Sequence, residues 1–444
     1  MTQIQQLRQK GASLYLKGQV FESLAVYKKI ITHPHYQKRL LLKDKINDLQ
    51  GMIQMSNYVK LYDDALAYAE NIFALAPNNF QSILTIATSF HFTQQYEEAI
   101  RYALKAQAMD ESNFTIHDIL AEAYMQIKDF THARKAGIRS LALKEKYAEQ
   151  YGTNSIPCHT VKPFNKKDKQ KNIISFCLYG QSPKYCENAI INAQIVSEIY
   201  PYWSCRFYCS NDVPIDVIRR LKDTNAEVIV KPKPEDIKQM LFWRFQVMSD
   251  QTIDRYIVRD CDSVINEKEA LAVQDWIKSE KSFHIMRDFY THTDLILAGM
   301  FGGTVEIFED INESISSFQK QVHTSRTHLD QLFLRQKVWP RIKNDVLIHD
   351  SCFHDEKNNS IDFPKGFNIN KNHHIGMNEG AASVNVKLTD MTNLKNVKWI
   401  IHDNKSTICT YHSKITHNSY DAEIPTSYAY KIQNKEYFIQ SIPY

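Results

Sequence analysis

The stretch that decides the fold reads Arg255-Tyr256-Ile257-Val258-Arg259-Asp260-Cys261-Asp262. Its apolar centre predicts a buried strand, and an acidic pair follows directly. Residues two apart in an extended chain point to the same side, so the carboxylates of Asp260 and Asp262 can face one ligand. Carboxylate oxygens with open coordination positions suit Mg²⁺ or Mn²⁺ bridging a diphosphate. Because such a pair also arises by chance or in helix caps, its surroundings must support this interpretation.

Strands and helices alternate around this stretch. Apolar runs predict strands at 172–180, 204–209 and 227–230, with helical periodicity between them and a longer helix at 237–248. This alternation predicts an α/β fold on a mostly parallel sheet, whose ligands bind beyond the carboxyl ends of the strands. The first strand ends in Leu178, Tyr179 and Gly180, which makes these three residues candidates for binding a cofactor or donor.

The amino-terminal part of the chain repeats with a period of 34 residues. Small residues recur at that spacing in three series, which are Ala65, Ala99 and Ala133; Ala69, Ala103 and Gly137; and Ala87 with Ala121. The spacing resembles tetratricopeptide repeats, in which small residues let two helices cross closely. Three to four units over residues 1–150 predict a short helical solenoid, with an earlier, degenerate unit between Gly11 and Tyr27. Two interpretations stay open: a concave surface for a protein partner or acceptor, and a self-association element or rigid spacer.

Length and composition limit the classes of function. The chain has 444 residues, 43% of them hydrophobic, which predicts two or three domains with sizeable cores. A net charge of +4 is too balanced to argue for nucleic-acid binding. Neither a transmembrane segment nor the apolar core of a signal peptide is expected. Eight cysteines without a CxxC pair predict buried, reduced thiols and a cytoplasmic protein.

A basic stretch at 162–171 marks the predicted domain boundary. Residues 151–171 are expected to link the repeats to an α/β domain over 172–444. The lysines of this linker either stay solvated or touch an anionic membrane surface, which would place the protein peripherally at the inner membrane.

Seven blocks follow one another in the carboxyl-terminal half. They are Phe242-Trp243-Arg244-Phe245, Arg259-Asp260-Cys261-Asp262-Ser263, Phe283-His284-Ile285-Met286-Arg287-Asp288, Gly299-Met300-Phe301-Gly302, Asp330-Gln331-Leu332-Phe333-Leu334, Val338-Trp339-Pro340 and Ile348-His349-Asp350-Ser351. Over residues 172–375 the chain resembles bacterial nucleotide-sugar-dependent glycosyltransferases of the GT-A fold that carry tetratricopeptide repeats. The resemblance implies Mn²⁺ or Mg²⁺, a donor such as a UDP-sugar, and a glycan, lipid-linked or protein acceptor, as in bacterial polysaccharide biosynthesis.

The resemblance also implies a metal site. Asp260 would contact the metal or the donor ribose, and Asp262 would be the firmer metal ligand. A third ligand commonly comes from a later histidine, for which His349 at a predicted strand end is the candidate. His373 and His374 compete with it, because they begin a His-x-x-Gly pattern.

Further candidates surround the donor and the acceptor. The resemblance places Asp330 and Gln331 on the acceptor side as catalytic residues, while helix capping by Asp330 is the alternative. Asp288 is the third candidate catalytic residue, and together with Arg287 it would contact the donor sugar or form a surface ion pair. The remaining candidate donor contacts are Lys184, Arg244, Gly299, His374 and Gly376.

For three of these candidate donor contacts, a second interpretation is also open. Arg244 would pair with the diphosphate or with an acid of the pair, and Lys184 would reach the nucleotide or stay exposed. The glycines at 299–303 would allow a ligand to approach the backbone closely or would form a structural turn.

Metal-assisted glycosyl transfer is the predicted activity. The Asp-Gln pair resembles the acceptor-side motif of retaining family-eight glycosyltransferases and so implies retention of anomeric configuration, although Leu332 stands where that family usually has a second Asp. One alternative is a non-catalytic repeat scaffold with a degenerate transferase domain. Another is a different metal-dependent phosphoryl or nucleotidyl transferase, which the absence of a glycine-rich phosphate loop disfavours.

Overall fold

The computed structural model describes residues 3–152, 161–322, 328–354, 360–365, 373–380, 382–388 and 394–444. The chain forms two compact units, Met1–Gln150 with Tyr290–Leu295, and Tyr151–Phe289 with Ile296–Tyr444. The first unit ends at the residue where the repeats are predicted to end, but it also takes six residues from the later half, which the sequence did not indicate. Lys144 holds them: its buried ammonium donates to the Thr293 carbonyl at 2.9 Å.

The first unit is a tetratricopeptide-like array of helices. The helices are α1 (Gln3–Leu16), α2 (Val20–Ile31), α3 (Pro34–Arg39), α4 (Leu42–Tyr58), α5 (Tyr62–Leu75), α6 (Phe80–Phe92), α7 (Tyr96–Met109), α8 (Phe114–Gln126) and α9 (Phe130–Ala148). The second helices of three successive pairs begin at Tyr62, Tyr96 and Phe130, which reproduces the 34-residue period. The alanines of the three series are completely buried, so the predicted close helix crossings are present.

The turns inside these pairs also repeat. Lys60, Gln94 and Lys128 each adopt a positive φ, between 60° and 66°, and connect the two helices of a pair. The degenerate first unit is the pair α1 and α2, in which Gly11 lies against the Tyr27 ring. A Cβ on Gly11 would stand 2.6 Å from that ring, so any larger residue would require the ring to move. The short helix α3 lies between this pair and the next, which explains why their separation exceeds 34 residues.

The second unit is built on an eight-stranded sheet of order β3-β2-β1-β4-β6-β5-β7-β8. Its strands are β1 (Asn172–Leu178), β2 (Ser204–Ser210), β3 (Glu227–Lys231), β4 (Arg255–Arg259), β5 (Phe283–Arg287), β6 (Met300–Thr304), β7 (Val346–Asp350) and β8 (Ser360–Ile361). All neighbouring strands run parallel except β6, which is antiparallel to both β4 and β5. The predicted mostly parallel sheet is therefore confirmed.

Helices cover this sheet and fill its connections. They are α10 (Pro183–Ile199), α11 (Ile215–Asp223), α12 (Glu267–Lys278), α13 (Ile311–Gln321), α14 (Leu329–Phe333), α15 (Trp339–Ile342) and α16 (Thr426–Gln433). Residues Ile237–Ser249, predicted as an ordinary helix, form tight 3₁₀ turns instead. The run Phe242 to Phe245 is buried at every position, so this segment is enclosed rather than amphipathic.

The tail does not extend the central sheet. It forms β9 (Ala382–Lys387), β10 (Asn396–His402), β11 (Thr407–Lys414), β12 (Ser419–Ile424) and β13 (Phe438–Pro443), paired as β11-β10-β13 and β12-β9. Trp399, Tyr411 and Tyr428 share a hydrophobic core with Ile190 of α10 and Leu221 of α11. The tail is thus part of the second unit's core.

The predicted linker is only partly described, since residues 153–160, including Cys158, lie outside the described residues. The remainder is anchored on the second unit at two points, while Lys166, Lys167 and Lys169 are exposed, as the solvated alternative predicts. Phe164 contacts Trp203 with ring centroids 5.8 Å apart, and the Lys171 ammonium donates to the Thr252 carbonyl at 2.7 Å. Burial of the apolar Phe164 side chain within this basic stretch explains why the stretch packs on the second unit.

The described cysteines are buried and free, as predicted. Among the helices of the described ranges, none combines the length and the apolar character needed to cross a bilayer.

Candidate active site

The acidic pair lies where the sequence predicts it, just beyond the carboxyl end of β4. Asn192 of α10 fixes the following turn, because its amide donates to the Ser263 carbonyl and accepts the N–H of Ile265, both at 2.9 Å. Arg259, the last residue of β4, donates to the Gly299 carbonyl at 2.8 Å and is completely buried. The turn that presents both carboxylates is therefore held from two sides.

Arg244 joins the acidic pair to the Asp-Gln motif. Its buried guanidinium donates to Asp260 and, at 2.7 Å, to Oδ2 of Asp330. Arg244 thus pairs with an acid of the pair, which is one of its two predicted roles, and its predicted contact with a diphosphate stays a prediction. Burial raises the pKa of Asp330, with the negative charge of Asp260 adding to it and Arg244 opposing it.

Asp330 occupies the first turn of α14, one residue after the helix begins at Leu329. The N-cap position belongs to His328, so the capping alternative for Asp330 is wrong. The second carboxylate oxygen of Asp330 accepts the main-chain N–H of Gln331 at 3.0 Å. Gln331 itself is half-buried.

Gly299 lies directly against Asp260. A Cβ at Gly299 would stand 1.9 Å from Oδ2 of Asp260, so the space expected for a ligand is taken by the carboxylate itself. Gly302 and Gly303 likewise lie so close to Tyr256 and Trp276 that side chains at the two glycines would collide with these residues. The glycine cluster thus serves packing around β4 rather than an open cradle.

We expect the Gly299→Ala variant to lose about 1–3 kcal/mol of unfolding free energy, because the methyl group must push the Asp260 carboxylate away from Arg244. Gly51→Ala is the control, since Gly51 is inside α4 with no atom within 4 Å of its Cβ position, and it should gain about 0.5–1 kcal/mol. Denaturant unfolding of both variants measures the difference. An unchanged or more stable Gly299→Ala variant would contradict this packing role.

The two carboxylates of the pair act on one another. Burial and the neighbouring charge of Asp260 raise the pKa of Asp262 to about 6, while Arg244 and Lys184 oppose this shift. Burial and the same two carboxylates raise the pKa of Tyr185 to about 12. Two acids, two cations and a tyrosine therefore share one electrostatic environment at the end of β4.

The end of β1 forms the adjoining part of the site. Gly180 adopts a φ of 75°, and its N–H donates to Oδ1 of Asp212 at 3.0 Å. Asp212 also pairs with Lys233 at 2.9 Å. Burial raises the pKa of the neighbouring Tyr179, whose ring packs on the cluster of Tyr208 and Trp243. Leu178 is buried in the core of the unit and supports the strand end from below.

Residues 373–380 form a loop across the carboxyl ends of β5 and β4. The N–H of Ile375 donates to Asp288 at 2.9 Å, and the N–H of Glu379 donates to the main-chain carbonyl of Asp262 at 2.7 Å. Between them, Gly376 has a φ of 80° and packs on Met300. The loop, called the 373–380 loop below, is thus attached to the turn that carries the acidic pair.

Arg287 and Asp288 are buried and do not form the surface ion pair of the alternative interpretation. Arg287 pairs with Asp350 at 2.7 Å. Asp288 binds the Lys268 ammonium, accepts the Ser351 hydroxyl at 2.6 Å and holds the 373–380 loop. Both oxygens of the Asp288 carboxylate are therefore engaged in positioning other elements.

The structure does not bring His349 to the acidic pair. Its Nδ1 lies 2.8 Å from Nε2 of His284, its Nε2 lies 4.0 Å from Asp275, and its ring contacts Phe363. Burial lowers the pKa of His349 to about 4. Within the described ranges, no three histidine, cysteine or acidic side chains group as metal ligands.

The competing histidines lie on the 373–380 loop. His373 pairs with Glu379 at 3.2 Å, and His374 stacks on Phe289 with centroids 4.1 Å apart. Burial lowers the pKa of His374. Both rings are thus placed by partners of the second unit near the turn after β4.

Sequence reasoning missed four residues that shape the site: Asn192, Asp212, Tyr185 and Glu379. Tyr185 and Asn192 lie on α10, whereas Asp212 and Glu379 lie in loops. Asp212 follows the second predicted strand, whose end was a predicted ligand position, so strand-end reasoning could have found it.

No family model matches the sequence, and no curated protein matches it significantly. MamA from Desulfovibrio magneticus RS-1 is a similar solved structure, 16% identical, covering 33% of this chain and 79% of that chain with a TM-score of 0.29. An O-GlcNAc transferase mutant from Thermobaculum terrenum is 14% identical and covers 58% of this chain and 47% of that chain with a TM-score of 0.36. Similarities at TM-scores this low carry no argument about function.

Proposed function

We propose that the protein is a metal-dependent glycosyltransferase of the GT-A type. It would move a sugar from a nucleotide-diphosphate donor, such as a UDP-sugar, to a glycan, lipid-linked or protein acceptor. One observation carries the proposal: Asp260 and Asp262 stand together at the carboxyl end of β4, and Arg244 joins Asp260 to Asp330. This edge of a mostly parallel sheet is where open α/β folds bind nucleotides.

The acidic pair fits Mn²⁺ or Mg²⁺. The raised pKa of Asp262 reflects burial and the proximity of a second carboxylate, a repulsion that a cation between them would offset. Mg²⁺ usually takes one or two carboxylates and completes its shell with substrate phosphates and water, so Asp260 and Asp262 suffice as protein ligands. His349 is left out of this ligand set because His284 holds its ring elsewhere.

The chain supplies fixed positive charge around these ligands. A divalent cation bound there would neutralise the charge that develops on a leaving diphosphate. Arg244 is held by two carboxylates and keeps its guanidinium in one place, which is the condition for electrostatic stabilisation without reorganisation. Lys184 adds a cation in the first turn of α10, where the backbone N–H groups also favour phosphate.

Asp330 and Gln331 are proposed for the acceptor side. Because Asp330 already binds Arg244 and the N–H of Gln331, we assign it to orienting these two groups. Gln331 is then the residue that would contact a sugar hydroxyl. We propose retention of configuration, and NMR of the product anomer tests it: an inverted linkage would contradict the assignment.

Asp262→Asn tests the proposal. The purified protein is incubated with Mn²⁺ and a panel of nucleotide sugars, and slow donor hydrolysis is followed together with thermal stabilisation. We expect one donor to stabilise the protein and to be hydrolysed, and the variant to lose at least about a hundredfold in metal-dependent turnover. Asp403→Asn is the control, since it makes the same charge change at a half-buried tail residue whose carboxylate accepts the N–H groups of its own turn.

The outcomes separate the proposal from its alternative. Near-normal turnover in Asp262→Asn would remove Asp262 as a metal ligand. The absence of any response to any donor would favour a non-catalytic scaffold that presents the helical repeats.

A further inference from the structure

A cavity lies in the unit that carries the sheet, and none of the residues named in the candidate active site lines it. It has a volume of about 400 Å³ and is lined by α10, α11, β11 and α16. Volumes of this size are typical of sites for small organic molecules. Ser427 at its rim is exposed, so a solute can enter from solvent.

Part of the cavity lining is apolar. Ile191 and Ile195 from α10 and Ile408 from β11 contribute three branched side chains to its lining. Tyr437 adds an aromatic ring that meets Tyr428 edge to face, with centroids 5.4 Å apart. These apolar side chains would therefore accept the planar apolar body of a ligand.

The cavity lining also carries positive charge. Arg220 and Lys431 both line the cavity, and no acidic residue occurs among the described residues that line it. The charge of Arg220 is balanced from behind by Glu187, which it binds through two hydrogen bonds of 2.8 Å. The Lys431 ammonium instead donates to the Tyr437 hydroxyl at 3.3 Å and lies 4.8 Å from that ring. The Lys431 ammonium thus brings a positive charge to the cavity, and no carboxylate among the described residues forms an ion pair with it.

We propose that this cavity binds a small organic monoanion with a planar apolar body, whose carboxylate pairs with Lys431. The volume sets the size of the ligand, the isoleucines and Tyr437 select an apolar ring, and the uncompensated ammonium selects a negative charge. The proposal does not depend on the transferase activity, because the cavity shares no lining residue with the candidate active site.

The test uses 4-fluorobenzoate as the probe and follows its ¹⁹F NMR signal with the full-length protein. We expect a dissociation constant on the order of 1 mM, which is reasonable for so small a molecule. The neutral 4-fluorobenzamide should bind about tenfold more weakly, because it loses the charge-assisted hydrogen bond. Lys431→Met should reduce benzoate binding to the level of the benzamide, since methionine keeps the apolar stem without the charge.

Two further variants keep the result interpretable. Lys414→Met makes the same change at an exposed residue of β11 outside the cavity and should bind the probe like the wild type. Ile195→Phe places extra volume in the cavity and should abolish binding of both probes. Absence of binding up to about 20 mM, or equal binding by the wild type and Lys431→Met, would overturn the proposal.

Discussion

Replacing Glu187 with glutamine is expected to destabilise the second unit by about 3–5 kcal/mol, the usual cost of removing one partner of a buried ion pair. Glu187 is completely buried on α10 and binds both Nη atoms of Arg220 at 2.8 Å. Its carboxylate also accepts the hydroxyls of Tyr411 at 2.7 Å and Tyr428 at 3.1 Å. One carboxylate thus fastens α11, β11 and α16 to α10. The neutral variant leaves the buried face of Arg220 without its partner, since the remaining acid, Asp216, is exposed and 3.9 Å away.

Denaturant unfolding measures this loss. Asp223→Asn is the matched control. It breaks an ion pair of the same length, 2.8 Å, between Asp223 and Arg219, the exposed neighbour of Arg220 on α11. No measurable change is expected there, since solvent screens exposed pairs. The double variant Glu187→Gln/Arg220→Met should recover much of the stability, because it removes the unpaired charge together with its partner. Equal effects of Glu187→Gln and Asp223→Asn would refute the role of Glu187 as a fastening point.

The helical repeats could be predicted from the sequence because their physics is local. A period of 34 residues and small side chains at helix crossings leave the same pattern wherever a pair of helices packs. Even the degenerate unit was indicated by Gly11, whose missing side chain gives the Tyr27 ring its place. Residues 290–295 were not predicted, because their attachment to Lys144 spans about 150 residues of chain.

The acidic pair of the candidate site was also predictable from the sequence. Several of the contacts that hold the surrounding side chains in place were not. Strand-end reasoning located Asp260 and Asp262, and pairing of Arg244 with one of these acids was one of its two predicted roles. The link from Arg244 to Asp330 was not predicted, because it depends on the fold bringing residues 244 and 330 together. His349 illustrates the opposite error: a strand end marks an edge of the sheet, but the side chain there faces His284 of the neighbouring strand. Long-range pairings of this kind leave no local signal in the chain.

Arg244→Met is expected to cost both stability and activity. The variant leaves Asp260 and the buried Asp330 without their shared partner, which should lower the free energy of unfolding by about 3 kcal/mol. If the protein is the proposed glycosyltransferase, turnover should also fall by about 10²–10³-fold, because a fixed charge facing the leaving diphosphate is lost. Unfolding measurements and donor turnover with Mn²⁺ give the two values on the same preparation.

Arg206 offers a control with the same architecture. It also bridges two carboxylates, Glu227 and Asp250, each at 2.6 Å, but it is in β2 and belongs to no part of the candidate site. Arg206→Met should therefore lower stability while leaving turnover unchanged at temperatures where the variant is folded. Stability and turnover that fall together in Arg206→Met would mean that activity merely follows stability. A fall in turnover confined to Arg244→Met would instead assign the guanidinium a direct part in the reaction, because both variants lose the same kind of bridge and differ only in what surrounds it.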